Sequence, residues 1–302
     1  MRFVKPAVFL IAKSVPEKSE ISNWLDSIGC DKKTSDHYAD AGTIGEAVKS
    51  NGERITELAG RRCYLSFQIG LNANVRRIRE DIAEYCENIL KVGHGSVLEH
   101  TYFTFAIENV SRVFTGEMNR HRAGMAISEG SMRFIKYNDI PIVETPLLSR
   151  TSEDLADTDF IEYMYKSRDE DTSKLNHSTP VKKQQTREVF ERVVAQIEDA
   201  YNELNAIWWD EMKPDSKFAD KKHITSMMRR IIPMGVATGG IWTANIRALR
   251  HICTMRCAEP AEEEIALVAG KILEIMMKEE PTLFGDFHPN EKGYWTPTYS
   301  KV

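Results

Sequence analysis

The chain has 302 residues, 42% hydrophobic and 28% charged, which is the composition of a soluble globular protein long enough to bury a full core. Its net charge of −5 disfavours nonspecific nucleic-acid binding, and no apolar stretch is long enough to span a bilayer. The five cysteines (Cys30, Cys63, Cys86, Cys253 and Cys257) are sparse and contain no CxxC pair, which argues against a disulfide framework or a zinc knuckle.

Met1 to Ile11 has no signal-peptide architecture, so a reduced, cytoplasmic protein is expected. Ala7 to Ala12 is apolar and β-prone and predicts a buried strand. Residues 13–50 are polar and broken by glycines, with a short helix near Ile21 to Ile28, and Ile55 to Phe67 reads as a helix. Val75, Ile78, Ile82, Cys86 and Ile89 recur at helical spacing, and Gly93 follows as a stop. The turn from Gly93 to His100 carries His94, Ser96, Glu99 and His100. Its spacing matches no zincin pattern, so the expectation is a polar ligand-contact loop and no metal. Thr101 to Ile107 predicts a strand with Phe103, Phe105 and Ile107 on one face. Val110, Val113, Phe114 and Met118 then follow a helical period that runs into Arg120-His121-Arg122, and Met132 to Tyr137 reads as a returning strand.

Residues 149–180 are acidic and polar, a surface excursion without a motif. Phe190, Val193, Ile197, Tyr201, Leu204 and Trp208 mark a long amphipathic helix. Ile224 to Ile232 predicts a helix carrying Arg229 and Arg230, and Gly235 to Ala244 is β-like. Asn245 to Cys257 predicts a helix with Asn245 and Arg256 on one face and Arg247 and His251 roughly opposite. Polar groups on two sides fit a place between ligands or between subunits, or an exposed helix with scattered charges. Pro260 opens a last helix with core positions Ile265, Val268, Ile272 and Ile275, and Pro281 stops it.

Between 112 and 133 the basic residues are Arg112, Arg120, Arg122 and Arg133, with no lysine among them. Arginine offers a planar fork that grips phosphate or carboxylate bidentately. An all-arginine run on an acidic background points to a shaped site for a small anion. No GxGxxG and no phosphate loop is present, so a nucleotide would be held by arginines and loops outside a Rossmann fold.

Arg120-His121-Arg122, eight further residues, Ser131 and then Arg133 resemble the signature of flavin-dependent thymidylate synthases. The loop His94-x-Ser96-x-x-Glu99-His100 with the strand Phe103 to Ile107 is similar to the segment upstream of that signature. Asn245-x-Arg247-x-x-x-His251-x-x-x-x-Arg256 resembles the family's carboxyl-terminal ligand helix, and Arg229 resembles an arginine used for the nucleotide. The resemblance implies reductive methylation of dUMP to dTMP. Methylenetetrahydrofolate would supply the carbon, and bound FAD reduced by NADPH would supply the hydride.

It also implies residue roles. Arg256 would be catalytic and face the uracil. Glu117, Arg120, Glu129, Gly130, Ser131, Met132, Arg133 and Arg229, the last from a neighbouring subunit, would contact dUMP. His94, Ser96, Glu99, Arg120, His121, Arg122, Glu129, Asn245, Arg247 and His251 would contact FAD, with Glu129 between the two ligands. The implied fold is α/β of the α+β type, one domain over residues 1–302 with a twisted, largely antiparallel sheet flanked by helices. The implied assembly is a homotetramer with active sites at subunit junctions, without nucleic-acid or membrane partners. Glu117 stands where the family commonly has glutamine, which leaves open hydroxymethylation of dUMP or modification of another pyrimidine nucleotide.

Overall fold

A computed structural model describes residues 2–40, 50–133, 139–145, 148, 180–291 and 293–301. The expected acidic excursion lies, apart from its last residue, outside the described residues. The frame is a four-stranded antiparallel sheet in the order β2-β3-β6-β4, built from β2 (Ala7–Lys13), β3 (Tyr102–Ser111), β4 (Met125–Glu129) and β6 (Ala237–Asn245). A small parallel pair joins β1 (Arg2–Val4) to β5 (Pro141–Val143). The hairpin β7 (Phe287–Pro289) and β8 (Trp295–Pro297) closes the chain. The helices are α1 (Lys18–Ser27), α2 (Lys32–Asp40), α3 (Asn51–Tyr64), α4 (Ile82–Val92), α5 (Arg112–Met118), α6 (Pro180–Ile207), α7 (Trp209–Met212), α8 (Phe218–Met228), α9 (Ile246–Arg256), α10 (Glu263–Glu279) and α11 (Pro281–Phe284).

One face of the sheet makes the core. Phe103, Phe105 and Ile107 alternate inward along β3, and Trp242 lies opposite Phe105 on β6. Trp242 also meets Phe114 of α5 edge-on, with ring centroids 5.9 Å apart. Ile89, Leu90, Leu249, Ile252, Val268 and Ile272 from α4, α9 and α10 complete the same cluster.

The structure corrects several boundaries. β2 is an edge strand, with Phe9 and Ile11 54% and 52% exposed, where a buried strand was expected. Its apolar alternation serves both faces of the sheet, and the described residues leave one of those faces exposed at Phe9. β3 runs on to Ser111 through a bulge at Asn109 (φ 58°), so Val110 belongs to the strand and the helix starts at Arg112. Helix α4 starts only at Ile82, because Asp81 caps it by accepting from the Glu84 N–H at 2.8 Å. Val75 and Ile78 precede it outside the helix. Met132 and Arg133 form a turn, and the rest of the expected strand to Tyr137 lies outside the described residues. In α6 the buried apolar residues are Val194 and Tyr201, while Phe190 and Val193 are exposed. The last long helix is capped by Glu262 instead of being opened by Pro260.

Two buried glutamates lock helix starts from a distance. Glu280 accepts hydrogen bonds from Ser50 Oγ, from Gly52 N at 3.0 Å and from Glu53 N at 3.1 Å, and Glu53 in return accepts from Thr282 N at 3.1 Å. A side chain on Gly52 would strike the Glu280 carboxylate at 2.5 Å. Burial raises the Glu280 pKa to about 7, with the Glu53 charge adding to it; the three hydrogen bonds oppose the rise without cancelling it. A carboxyl that holds its proton in the fold but releases it when unfolded adds stability at low pH, and that contribution fades as pH rises from about 4.5 to about 7. Urea midpoints at pH 5 and pH 7.5 should therefore fall more in the wild type than in Glu280→Gln. Equal falls in the two proteins would refute the assignment.

Candidate active site

The sheet's β4 edge delivers its last residues to a cavity of about 660 Å³. Glu129, Gly130, Ser131 and Met132 form one wall; Arg112, Thr115 and Gly116 of α5, with Asn119 at its carboxyl-terminal cap, form another; Arg229 and Arg230, from the single helical turn after α8, complete it. Three guanidinium groups against one carboxylate leave a surplus of two positive charges, which suits a phosphate dianion. Arg229 and Ser131 both line this cavity within one chain.

A second cluster is centred on Arg256 at the end of α9. Its Nη1 donates to Glu117 Oε2 at 2.7 Å, and its Nε donates to His121 Nε2 at 3.0 Å. An acceptor at Nε2 requires neutral imidazole, and the surroundings favour that form. Burial, the Arg256 charge and His251 together depress the His121 pKa to about 4. His251 is itself exposed, its ring centroid 5.8 Å from that of His121.

A third region is a cavity of about 380 Å³ lined by His94, Ser96 and Arg247 and walled by Gly60, Cys63, Tyr64 and Tyr85 of α3 and α4. The expected loop around His94 is a single 3₁₀ segment, Gly95–His100. Arg247 Nη1 reaches Glu99 Oε1 at 2.5 Å across the cavity rim. Asn245, expected to touch flavin, is buried and caps α9 by accepting from Ala248 N at 2.8 Å. Arg120 and Arg122 are exposed on the turn between α5 and β4. Arg133 is exposed as well, its Nε donating to Ser226 Oγ at 3.0 Å beside α8. Among the described residues no group of three His, Cys, Asp or Glu side chains is placed to hold a metal ion. Among them, too, no helix is long and apolar enough to cross a membrane.

The sequence profile of the family described as thymidylate synthase complementing protein matches residues 47–282. The chain belongs to this family. The match spans α3 to α10 and so takes in all three clusters. Among relatives, the chain is 30% identical over 249 residues to the flavin-dependent thymidylate synthase of Corynebacterium diphtheriae, covering 80% of this chain and 81% of that protein. It is 28% identical over 242 residues to the enzyme of the same name from Mycobacterium sp. strain JLS, covering 80% and 82%. A similar solved structure is the UMP/dUMP methylase PolB from Streptomyces cacaoi bound with 5-Br dUMP. It has a TM-score of 0.54 and 14% identity, covering 94% of this chain and 96% of that one, and so shares the fold.

Several residues that line these cavities carry no role in the sequence. Thr115 and Gly116 of α5, with Asn119 at its carboxyl-terminal cap, line the first cavity beside Arg112, which the sequence places in the arginine run. Their spacing is visible in the sequence, but the period there is dominated by the apolar stripe of Val113, Phe114 and Met118. Arg230, Cys63 and Tyr64 carried no distinguishing signal.

Proposed function

We propose that the protein converts dUMP to dTMP, with methylenetetrahydrofolate as carbon donor and NADPH as the source of reducing equivalents. The observation that carries this reading is the arginine-rich cavity at the end of β4, which Ser131 lines together with Arg112, Arg229 and Arg230. Those groups would bind the nucleotide phosphate by charge-assisted hydrogen bonds. Arg256 would then face the uracil ring and stabilise negative charge as carbon 5 takes up the new carbon and loses its proton. No enzyme nucleophile is needed: Cys86, Cys253 and Cys257 are buried, and Cys63 lies at the other cavity.

His94, Ser96 and Arg247 present hydroxyl, imidazole and guanidinium donors beside the Tyr64 and Tyr85 rings, a donor set that fits part of an FAD. Arg120, His121, Arg122 and His251, on the turn and helix nearby, would extend this contact. These residues would hold an FAD whose chemistry, after reduction by NADPH, would be to supply the hydride that turns the transferred carbon into a methyl group. Neutral His121 keeps the Arg256 guanidinium oriented by accepting from its Nε. Glu117, paired with Arg256, favours a second reading, modification of a different pyrimidine nucleotide, because a carboxylate offers the base only acceptors.

The ligand groups fall in three separated clusters within one chain, and the outer sheet face leaves Phe9, Ile11 and Ile241 exposed. Both features support one catalytic domain that assembles, as a homotetramer, into sites shared between subunits. The same reading places the protein in the cytoplasm, with a nucleotide substrate and no nucleic-acid partner. Incubating the protein with FAD, NADPH, methylenetetrahydrofolate and dUMP, then weighing the nucleotide, tests it. A product heavier than dUMP by the mass of CH2 is expected. A hydroxymethyl product would assign hydroxymethylation of dUMP instead, and an unchanged nucleotide beside bound FAD removes dUMP as the substrate and selects the second reading.

A further inference from the structure

We infer that Arg112 is a positioning residue for the nucleotide phosphate, acting through Glu129 and Gly130; the inference rests on the function proposed above. Arg112 begins α5 and reaches across the cavity to the end of β4. One arm of its guanidinium pairs with the Glu129 carboxylate, and Nη2 donates to the Gly130 carbonyl at 2.7 Å. Asn119, which caps the carboxyl end of the same helix, donates to Glu129 Oε2 at 2.8 Å. Asn119 is itself held by Trp242 Nε1 at 3.4 Å, which ties the clamp to the core.

Two consequences follow for the cavity. The first is geometric. Strand pairing of β4 ends at Glu129 opposite Gly240, and the last backbone bond runs from Gly130 N to Gly239 O at 2.8 Å. Ser131 comes next and has no ladder to fix it. The grip of Arg112 on the Gly130 carbonyl holds this junction, and with it the Ser131 hydroxyl. The second is electrostatic. Glu129 is the one carboxylate among the described lining residues. Left without Arg112 it would repel a phosphate dianion and compete for Arg229 and Arg230. With Arg112 in place its charge is neutralised at the wall, and the other two arginines stay available. The planar fork serves both tasks at once, which a lysine ammonium cannot do.

The test compares Arg112→Gln, Arg112→Lys and the double variant Arg112→Gln/Glu129→Gln in the FAD-loaded protein. Arg112→Gln should raise the KM for dUMP by about tenfold, the scale of one charge-assisted contact, with a much smaller loss in kcat and unchanged FAD retention. Arg112→Lys should fall between it and the wild type. The double variant should recover most of the lost affinity, because the uncompensated carboxylate is gone. Binding of deoxyuridine, which lacks the phosphate, should change far less than binding of dUMP. An unchanged KM overturns the inference, and so does an equal loss for dUMP, deoxyuridine and FAD, which would mark a purely structural role. If the wild type itself does not turn over dUMP, the proposed function fails first. The clamp is then read from calorimetric binding of inorganic phosphate, where equal affinity in wild type and Arg112→Gln overturns it.

Discussion

Arg256→Ala should lower kcat for nucleotide methylation by about 10²–10³-fold, the usual loss when one donor aimed at developing negative charge is removed. FAD should stay bound and the fold intact. Arg256 ends α9, and its side chain is 17% exposed, against 25% for Glu117, so neither charge is stranded in a dry interior when the other goes. The urea midpoint should move little. A second readout separates this effect from general damage. The His121 pKa is held down by burial first, then by Arg256 and His251. Removing the Arg256 charge should raise the His121 pKa from about 4 toward the ordinary histidine value, visible by NMR titration of the ring protons. Arg256→Lys keeps the charge but loses the fork that spans Glu117 and His121, so it should recover only part of the rate. Full activity in Arg256→Ala would remove the residue from the chemistry, and a lost rate with an unmoved His121 pKa would mean that the two side chains are not in contact in solution.

The elements that sequence reading located well are those in which periodicity and burial agree. Phe103, Phe105 and Ile107 alternate toward the core, and the stripe from Ile265 to Ile272 faces it, so both elements were legible. The strand of Ala7 to Ala12 was misjudged because an exposed apolar edge and a buried strand have the same composition. The helix start at Ile82 was overextended because Val75 and Ile78 fit the helical spacing, whereas the Asp81 cap decided the boundary. At the site, Ser131 and Arg229 could be singled out one by one, but their meeting in one cavity depends on β4 and the turn after α8 converging from nearly a hundred residues apart. Asn245 shows the opposite limit. Its side-chain oxygen caps α9 by accepting from Ala248 N, a role that only the backbone geometry of the strand-to-helix turn reveals.

The helix Ile246–Arg256 also carries the largest expected stability effect, and it shows how burial, rather than contact distance, sets the worth of an ion pair. Arg247 and Arg250 stand one turn apart and each meets a carboxylate closely, at 2.5 Å for Glu99 and 2.7 Å for Asp286. The first pair is about half exposed, with side chains 45% and 48% accessible. The second is 3% and 9% accessible. Arg250 and Asp286 bond bidentately, with the second arm at 2.9 Å. The guanidinium also donates to the carbonyls of Leu283 and, at 3.0 Å, Tyr299, and it lies 5.2 Å from the Phe287 ring centroid. It thereby ties α9 to α11 and to the final hairpin. Arg250→Ala strands the Asp286 carboxylate in the interior and should cost about 3–5 kcal/mol. Arg247→Ala should cost at most about 1 kcal/mol. Arg250→Met with Asp286→Leu removes both charges and should be far less damaging than Arg250→Ala, because no lone buried charge remains. Urea denaturation of the four proteins, with unchanged slopes, measures the ranking. If Arg250→Ala and Arg247→Ala shift the midpoint equally, the Arg250 pair is hydrated in solution, and the anchoring of α9 must be credited to its apolar face, Leu249, Ile252 and Cys253. Arg256 lies less than two turns beyond Arg250, so a loosened α9 would lower the rate as well. That makes the Arg256→Ala rate interpretable only alongside this stability series.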